Sequence, residues 1–372
     1  MKPNNPFLIA GYHSPHYFCD REYETTTLVD ALHNGRNVTL IAPRRIGKTG
    51  LIQHLFYKQR EQDTNVVTVY MDIYSTQNLN DFVRLFASSI LGKLDTPSTR
   101  TLERIGRFIR SCRPTLTFDE LTGTPKVSVE IAPQNEEATL QEVFEYIRSL
   151  EKQCYIAIDE FQQIAEYPEK GVEALLRSYI QFVPNAHFIF AGSKQHVMQE
   201  MFLSAKRPFY QSTQLMHIDC IECDVYYRFA SNHFAERGMV LPKPVFEGIY
   251  HRFDGHTWYI QHVLNRLYSY AIDIDESKVI CGIEEIVTES AYAYENLMKA
   301  YPAGSVRLLK AIACEGCVKE ITSGKFIATY QLRAASSVKT SINKLVDNEL
   351  VYPTDKGYII YDRFMNEWLK RL

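Results

Sequence analysis

The sequence predicts an α/β fold: a P-loop αβα core built on a mostly parallel sheet, followed by a helical lid and a winged helix-turn-helix domain. Three observations predict it. From Phe18 to Met216, short β-branched runs alternate with helical stretches, as in a parallel sheet covered by helices. From Glu222 to Ala300 the aromatic residues recur at helical spacing. From Tyr301 to Leu372 the pattern reads helix, helix, helix, hairpin.

The core strands are expected at Val38 to Ala42, Val66 to Asp72, Tyr155 to Asp159, His187 to Ala191 and Gln214 to Ile218. Each is a short apolar run bounded by polar or turn residues, which suits strands buried on both faces. Between the second and third lies an excursion, at about 80–135. It holds an amphipathic helix from Asn80 to Leu94, another around Thr101 to Cys112, and a hairpin from Thr115 to Ile131 with period-2 alternation. A helix from Leu140 to Leu150 then leads back to the sheet. In the lid, Tyr226, Phe234, Phe246, Phe253, Tyr259, Leu264 and Leu267 are expected to form a helical core. The last region gives helices at Val306 to Ala313, Phe326 to Tyr330 and Ser336 to Asn348, the third capped by Ser336 or Ser337. A wing of Leu350 to Pro353 and Tyr358 to Tyr361 turns at Thr354 to Gly357, and Phe364 to Leu372 closes the domain. The boundaries implied are 1–220 for the core, 221–300 for the lid and 301–372 for the winged helix.

Composition excludes several classes. With 372 residues, 45% apolar and 23% charged, the chain can bury a sizeable core. A net charge of −3 gives no global attraction to nucleic acid or anionic membrane. No segment reaches about 18 uninterrupted apolar residues, and the N-terminus lacks a secretory pattern, so a cytoplasmic location without membrane contact is expected. Eight cysteines in a chain of this length are not a disulfide scaffold. The Cys220/Cys223 and Cys314/Cys317 pairs have metal-like spacing, but they are far apart and lack glycine-rich knuckles, so unliganded structural cysteines are expected.

The chemistry concentrates at residues 42 to 49, Ala-Pro-Arg-Arg-Ile-Gly-Lys-Thr, between an apolar strand and a helix. Such a loop turns its amides toward phosphate and adds the positive end of the following helix. Lys48 is expected at the β- and γ-phosphates and Thr49 at Mg²⁺, with Pro43, Arg44, Arg45, Ile46, Gly47 and Gly50 completing the cradle. Ala42 stands where the usual pattern has glycine, which is tolerated only if φ there stays negative. A second acidic element is needed, and the strand ending in Asp159-Glu160 meets that need. Asp159 is expected to hold Mg²⁺ and Glu160 to orient or deprotonate the attacking water. Ser193, at the end of the next strand, is the candidate to report the terminal phosphate.

The segment Phe18-Cys19-Asp20-Arg21-Glu22, the loop at 43–49, Ile158 to Gln162, Ala191-Gly192-Ser193, Gly255-His256-Thr257 and the final Tyr361 to Phe364 and Trp368-Leu369 occur in one order. Over nearly the whole chain this resembles the mainly archaeal AAA+-type ATPase family related to the signal-transduction (STAND) NTPases. The resemblance implies ATP at the junction of core and lid, with Arg21 near the adenine side and His256 in the lid motif. The chain departs from the family pattern at three places: Asp20 for glycine, Thr257 for proline, and no arginine after Tyr210. Arg207, just before Pro208, is the candidate replacement finger. Arg44 and Arg45 either contact phosphate or anchor the lid through a carboxylate.

Residues Tyr301 to Leu372 carry 11 Lys/Arg and 7 Asp/Glu, a balance of +4, but the third helix has only Lys339 and Lys344. DNA readers usually present a denser basic face. The expected function is therefore an ATP-binding switch with slow Mg²⁺-dependent hydrolysis by water, contacting a protein partner and able to form a nucleotide-dependent oligomer. The alternatives are a DNA-binding initiator-like ATPase using the winged helix, and a nucleotide-binding scaffold without turnover.

Overall fold

The computed structural model describes residues 2–94, 109–118, 125–132 and 134–372. They fall into two compact units, Ala10–Ile221 and a second made of Glu222–Leu372 with the N-terminal residues up to Ile9. The residues expected as lid and as winged helix thus share one unit, and the first nine residues join it.

The first unit is built on five parallel strands: β1 (Val38–Ile41), β2 (Val66–Asp72), β5 (Gln153–Asp159), β6 (Ala186–Gly192) and β7 (Gln214–His217). Their order is β2-β5-β6-β1-β7, with every neighbouring pair parallel. Helices α1 (Glu22–His33) and α2 (Lys48–Gln62) supply one layer. Leu28, Leu51, Leu55 and Phe56 from them pack with Leu40, Ala157 and Ile189 of the sheet. Helices α3 (Leu79–Leu94), α4 (Glu136–Arg148), α5 (Val172–Ile180) and α6 (Gln195–Leu203) belong to the other layer. Phe82, Phe86, Phe144 and Phe202 there meet Val69, Ile156, Phe188 and Phe190. Alternate residues of β6 thus serve opposite layers, which is why these strands read as continuous apolar runs.

The inserted hairpin is present as β3 (Cys112–Phe118) and β4 (Pro125–Ile131), paired antiparallel with Thr115 opposite Ser128. Of the helix expected around Thr101 to Cys112, residues 101–108 lie outside those described, and Cys112 opens β3 instead. The helix expected at Leu140 begins earlier, at Glu136. Helix α3 starts where Asn78 Oδ1 accepts the Asp81 amide at 2.9 Å, an Asx cap that satisfies an otherwise orphaned donor.

In the second unit, α7 (Cys223–Glu236), α8 (Lys243–Arg252), α9 (Thr257–Ser269) and α10 (Glu276–Lys299) bury Tyr226, Phe234, Phe246, Phe253, Tyr259 and Leu267. The helical aromatic spacing is core. Helices α11 (Ala303–Glu315), α12 (Gly324–Thr329) and α13 (Ala335–Asp347), strands β8 (Val351–Thr354) and β9 (Gly357–Ile360), and α14 (Arg363–Leu369) form the winged helix. Helix α11 ends at Gly316, whose φ of +75° suits glycine. The expected serine cap on α13 is not made: Ala334 is the N-cap, without a side-chain bond. With Ala334 at φ −51° and ψ +151° as the N-cap, the helix starts two or three residues before a Ser336 or Ser337 cap would place it, so Ser336 already lies inside it. Val318 pairs with Tyr358 through both backbone bonds, an isolated antiparallel bridge on the edge of the two-stranded wing. Asp362 Oδ1 caps α14 by accepting the Phe364 and Met365 amides at 2.9 and 3.1 Å. Arg252 on α8 forks onto Glu367 Oε2 of α14, and Arg363 reaches Asp254 at 2.7 Å. Buried Glu367 is held below the usual carboxylate range: burial opposes this, but the Arg252 and Lys370 contacts outweigh it.

Candidate nucleotide-binding site

Parallel pairing puts the carboxyl ends of the strands on one edge of the sheet. Ile41, which leads into the loop, is in register with Gly192, and Asp72 is in register with Asp159. The loop, Asp159-Glu160 and Ser193 therefore meet at the place where α/β sheets bind ligands.

Within the loop, Ala42 is not among the residues with positive φ, so the alanine carries no backbone strain. The left-handed positions are Arg45, at φ +68°, and Gly47, at φ +103°. A Cβ at Gly47 would meet nothing within 4 Å, so glycine is needed there for its dihedral and not for space. Ile46 is buried and pins the loop to the α1/α2 core. Lys48 and Thr49 open helix α2, in its positively polarised first turn. Lys48, 7% exposed, donates to the Ala42 and Pro43 carbonyls at 3.0 and 3.2 Å, leaving the ammonium a third N–H. Desolvation pulls its pKa below the usual lysine value, while the charges of Asp159 and Glu160 work against that shift.

Asp159, 3% exposed, faces the loop. Its Oδ2 accepts from Thr49 Oγ1 at 2.7 Å and from the Tyr70 hydroxyl at 2.9 Å, and its Oδ1 accepts the Glu160 amide at 3.0 Å. Glu160 takes φ +55° and starts a short 3₁₀ turn, Phe161–Glu166. Its Oε2 accepts from Ser193 Oγ at 2.7 Å and from Gln162 Nε2 at 2.5 Å. Ser193 Oγ in turn accepts Arg44 Nε at 3.2 Å. The backbone behind Glu160 is held by Phe161, whose ring centroid lies 4.5 Å from Phe190 and 5.5 Å from Phe209. Loss of such a ring costs about 3–5 kcal/mol in a packed core.

Arg21 is buried and bridges Glu24 at 2.5 Å, the Ile46 carbonyl at 3.4 Å and the Asp219 carbonyl at 2.7 Å, tying the start of α1 to the loop. Asp20 and Arg21 both have positive φ, so the aspartate occupies a glycine-type conformation that Asp tolerates better than most residues. Phe18 stacks on His54 at 4.4 Å and stands 3.2 Å from where a Cβ on Gly50 would lie.

Two further expected residues have other surroundings within their own units. Arg207 pairs with Glu173 at 2.5 Å and Glu200 at 3.8 Å. His256 belongs to the second unit as the N-cap of α9, where Thr257 takes the first helical position, one that also accommodates proline. Sequence reasoning gave no role to Tyr70, Asp72 or Gln162. Only the register between β2 and β5 brings the first two beside Asp159, and register is not written in either strand alone.

The family described as "ATPase domain predominantly from Archaea" matches residues 18–263. The chain belongs to that family. A second family, described as "probable winged helix domain", matches residues 292–371. The fold is shared with a Walker-type ATPase of Pyrococcus abyssi at TM-score 0.66 and 17% identity, covering 99% of this chain and 100% of that one. The Aeropyrum pernix ORC2 protein in ADPNP–ADP complexes gives TM-score 0.63 at 14% identity, over 100% and 96% of the two chains. The Aeropyrum pernix ORC1 protein in complex with DNA gives 0.56 at 12%, over 98% and 96%. No curated protein sequence matches the chain. Among the described residues, no helix of this family member is long and apolar enough to cross a membrane.

The residues fit a nucleotide with its cation. The space over Gly47 is open, the ammonium of Lys48 has a donor to give, and Thr49 Oγ1 and Asp159 Oδ2 converge as an all-oxygen pair suited to Mg²⁺.

Proposed function

We propose that the chain binds ATP with Mg²⁺ at the loop and acts as a nucleotide-dependent switch in which hydrolysis by water is slow. The observation that carries this reading is the 2.7 Å pairing of Thr49 and Asp159 beside buried Lys48 at the start of α2. Bound Mg·ATP supplies a strained phosphoanhydride and a cation that spreads its charge. Lys48 and the first amides of α2 bind the phosphates, while Thr49 and Asp159 hold the cation. Glu160 orients the water through its second carboxylate oxygen, because Oε2 is committed to Ser193 and Gln162. Those two bonds to a charged group, each worth about 1.5–3 kcal/mol, hold the carboxylate in one orientation and draw its charge away from the water, which supports slow turnover. In this reading the second unit is the output, contacting a protein partner, and nucleotide controls any oligomer.

The test is a calorimetric titration of the full chain with ATP and Mg²⁺. Lys48→Ala is expected to lose at least about tenfold in affinity; unchanged affinity overturns the site. Glu160→Gln separates a switch from a scaffold: turnover falling below wild type supports catalysis, and equal background rates support a scaffold.

A second reading, duplex DNA on the winged helix, is favoured by one feature. A groove of about 480 Å³ between residues 319–323, α13 and the wing is lined by Lys319, Thr322, Ser323, Lys339, Asn343 and Tyr358, side chains able to meet phosphate and base edges, with Glu320 as the one acidic group among its lining residues. If a Lys319/Lys339 double alanine variant retards duplex as wild type does, or neither binds, this reading fails.

A further inference from the structure

Arg44 turns toward the carboxylates from inside the phosphate loop. Its Nε is 3.2 Å from Ser193 Oγ, Ser193 donates to Glu160 at 2.7 Å, and the guanidinium carbon stands 5.9 Å over the Tyr74 ring. It therefore joins three strand ends: the loop after β1, Ser193 after β6 and Tyr74 after β2. Lys48 lies close enough for the Arg44 charge to act on it. The guanidinium thus borders the part of the site nearest Glu160, where the terminal phosphate must lie if Glu160 orients the attacking water.

The two finger positions outside the loop offer less. The position after Tyr210 is Gln211, and Arg207 is engaged by Glu173 and Glu200. Arg44 needs no neighbouring chain and no displaced loop to reach the site. A guanidinium is a planar fork, so it can engage a phosphoryl oxygen while Nε keeps Ser193.

We infer that Arg44 is the residue that distinguishes ATP from ADP, reading the terminal phosphate from within the loop and relaying its presence through Ser193 to Glu160. This rests on the nucleotide site proposed above. It replaces a finger supplied from outside the loop with one built into the cradle.

The experiment is calorimetric binding of ATP and of ADP, each with Mg²⁺, to the full-length wild type and to Arg44→Ala and Arg44→Lys. Wild type is expected to prefer ATP. Arg44→Ala should lose about tenfold to a hundredfold on ATP and less than about threefold on ADP, the loss of one charge-assisted contact to a single phosphate. Arg44→Lys, which keeps the charge without the fork, should fall between and guards against a folding defect in the alanine variant. Equal losses on both nucleotides, or none on either, overturn the inference while leaving the nucleotide site intact. If wild type binds neither nucleotide, the site and the inference fall together.

Discussion

Gly192 is the tightest point of the site, and Gly192→Ala tests whether packing there positions Glu160. An added Cβ would lie 2.4 Å from Gln162 Oε1, 2.5 Å from Met198 Sδ and 2.6 Å from Met198 Cγ. Gln162 is 2% exposed and Met198 fully buried, so neither side chain can swing into solvent. Overpacking of this kind costs about 1–3 kcal/mol. For a unit of this size that is roughly 2–12 °C in melting temperature. The same displacement pulls Gln162 Nε2 off Glu160 Oε2, a bond of 2.5 Å worth about 1.5–3 kcal/mol when one partner is charged. Two readouts are therefore expected to move together: the thermal midpoint falls, and Mg²⁺-dependent ATP turnover changes although no residue at the phosphates has been replaced. Gly248→Ala is the control, since a Cβ in the middle of α8 meets nothing within 4 Å and should stabilise by about 0.5–1 kcal/mol. A Gly192→Ala protein that melts within a degree of wild type and turns over at the wild-type rate would refute the reasoning.

Tyr70→Phe removes one of the two hydroxyls on Asp159 Oδ2, so the Mg²⁺ concentration needed for half-maximal ATP binding should rise about threefold or more, as for loss of a bond worth roughly 1 kcal/mol. An unchanged Mg²⁺ dependence in a titration would show that Thr49 alone orients the carboxylate. His54 gives the acid limb of stability: buried under Phe18 and bonded to Tyr12, it is held down to about 4, first by desolvation and then by the Lys58 charge. Because its folded pKa is depressed, the stabilisation is complete above about 6.5 and is lost as pH falls toward 4, amounting to about 2 kcal/mol between pH 7 and pH 5. Urea midpoints at the two pH values should show this loss in wild type and not in His54→Gln; parallel losses in both would assign the acid limb to other groups.

The sheet was legible because its strands are buried on both faces and flanked by turn residues, so Val66 to Asp72 could be delimited to the residue. The loop and the Asp159-Glu160 pair were legible for a different reason, since chemistry restricts the residue types that can follow a strand and open a helix there. What the chain could not display is anything set by long-range register. Tyr70 and Asp159 are 89 residues apart and meet only because β2 pairs with β5. Helix ends were also obscure: Ser336 offered a cap by composition, but Ala334 takes the N-cap position and the helix starts before the serine. The left-handed φ of Arg45 and Glu160 had no signal in residue type, because neither is a residue that favours that region.

The departures from the usual loop pattern and from the family pattern now divide by cause. Ala42 sits where φ is not positive, and Thr257 sits at a helical first position, so both replace the usual residue without backbone conflict. Asp20 is different, because it holds φ +56° beside Arg21 at φ +70°, and two consecutive left-handed non-glycine residues cost roughly 1–3 kcal/mol each. That cost is borne where Arg21 is clamped by Glu24 and by the Ile46 and Asp219 carbonyls. The strained turn is thus offset by contacts that fix the loop, and Asp20→Gly should relieve it. Greater stability with unchanged ATP affinity would mean that the aspartate serves no purpose at the site. Greater stability with weaker ATP binding, read by the same titration, would mean that the strain holds Arg21 and the loop in register for the nucleotide.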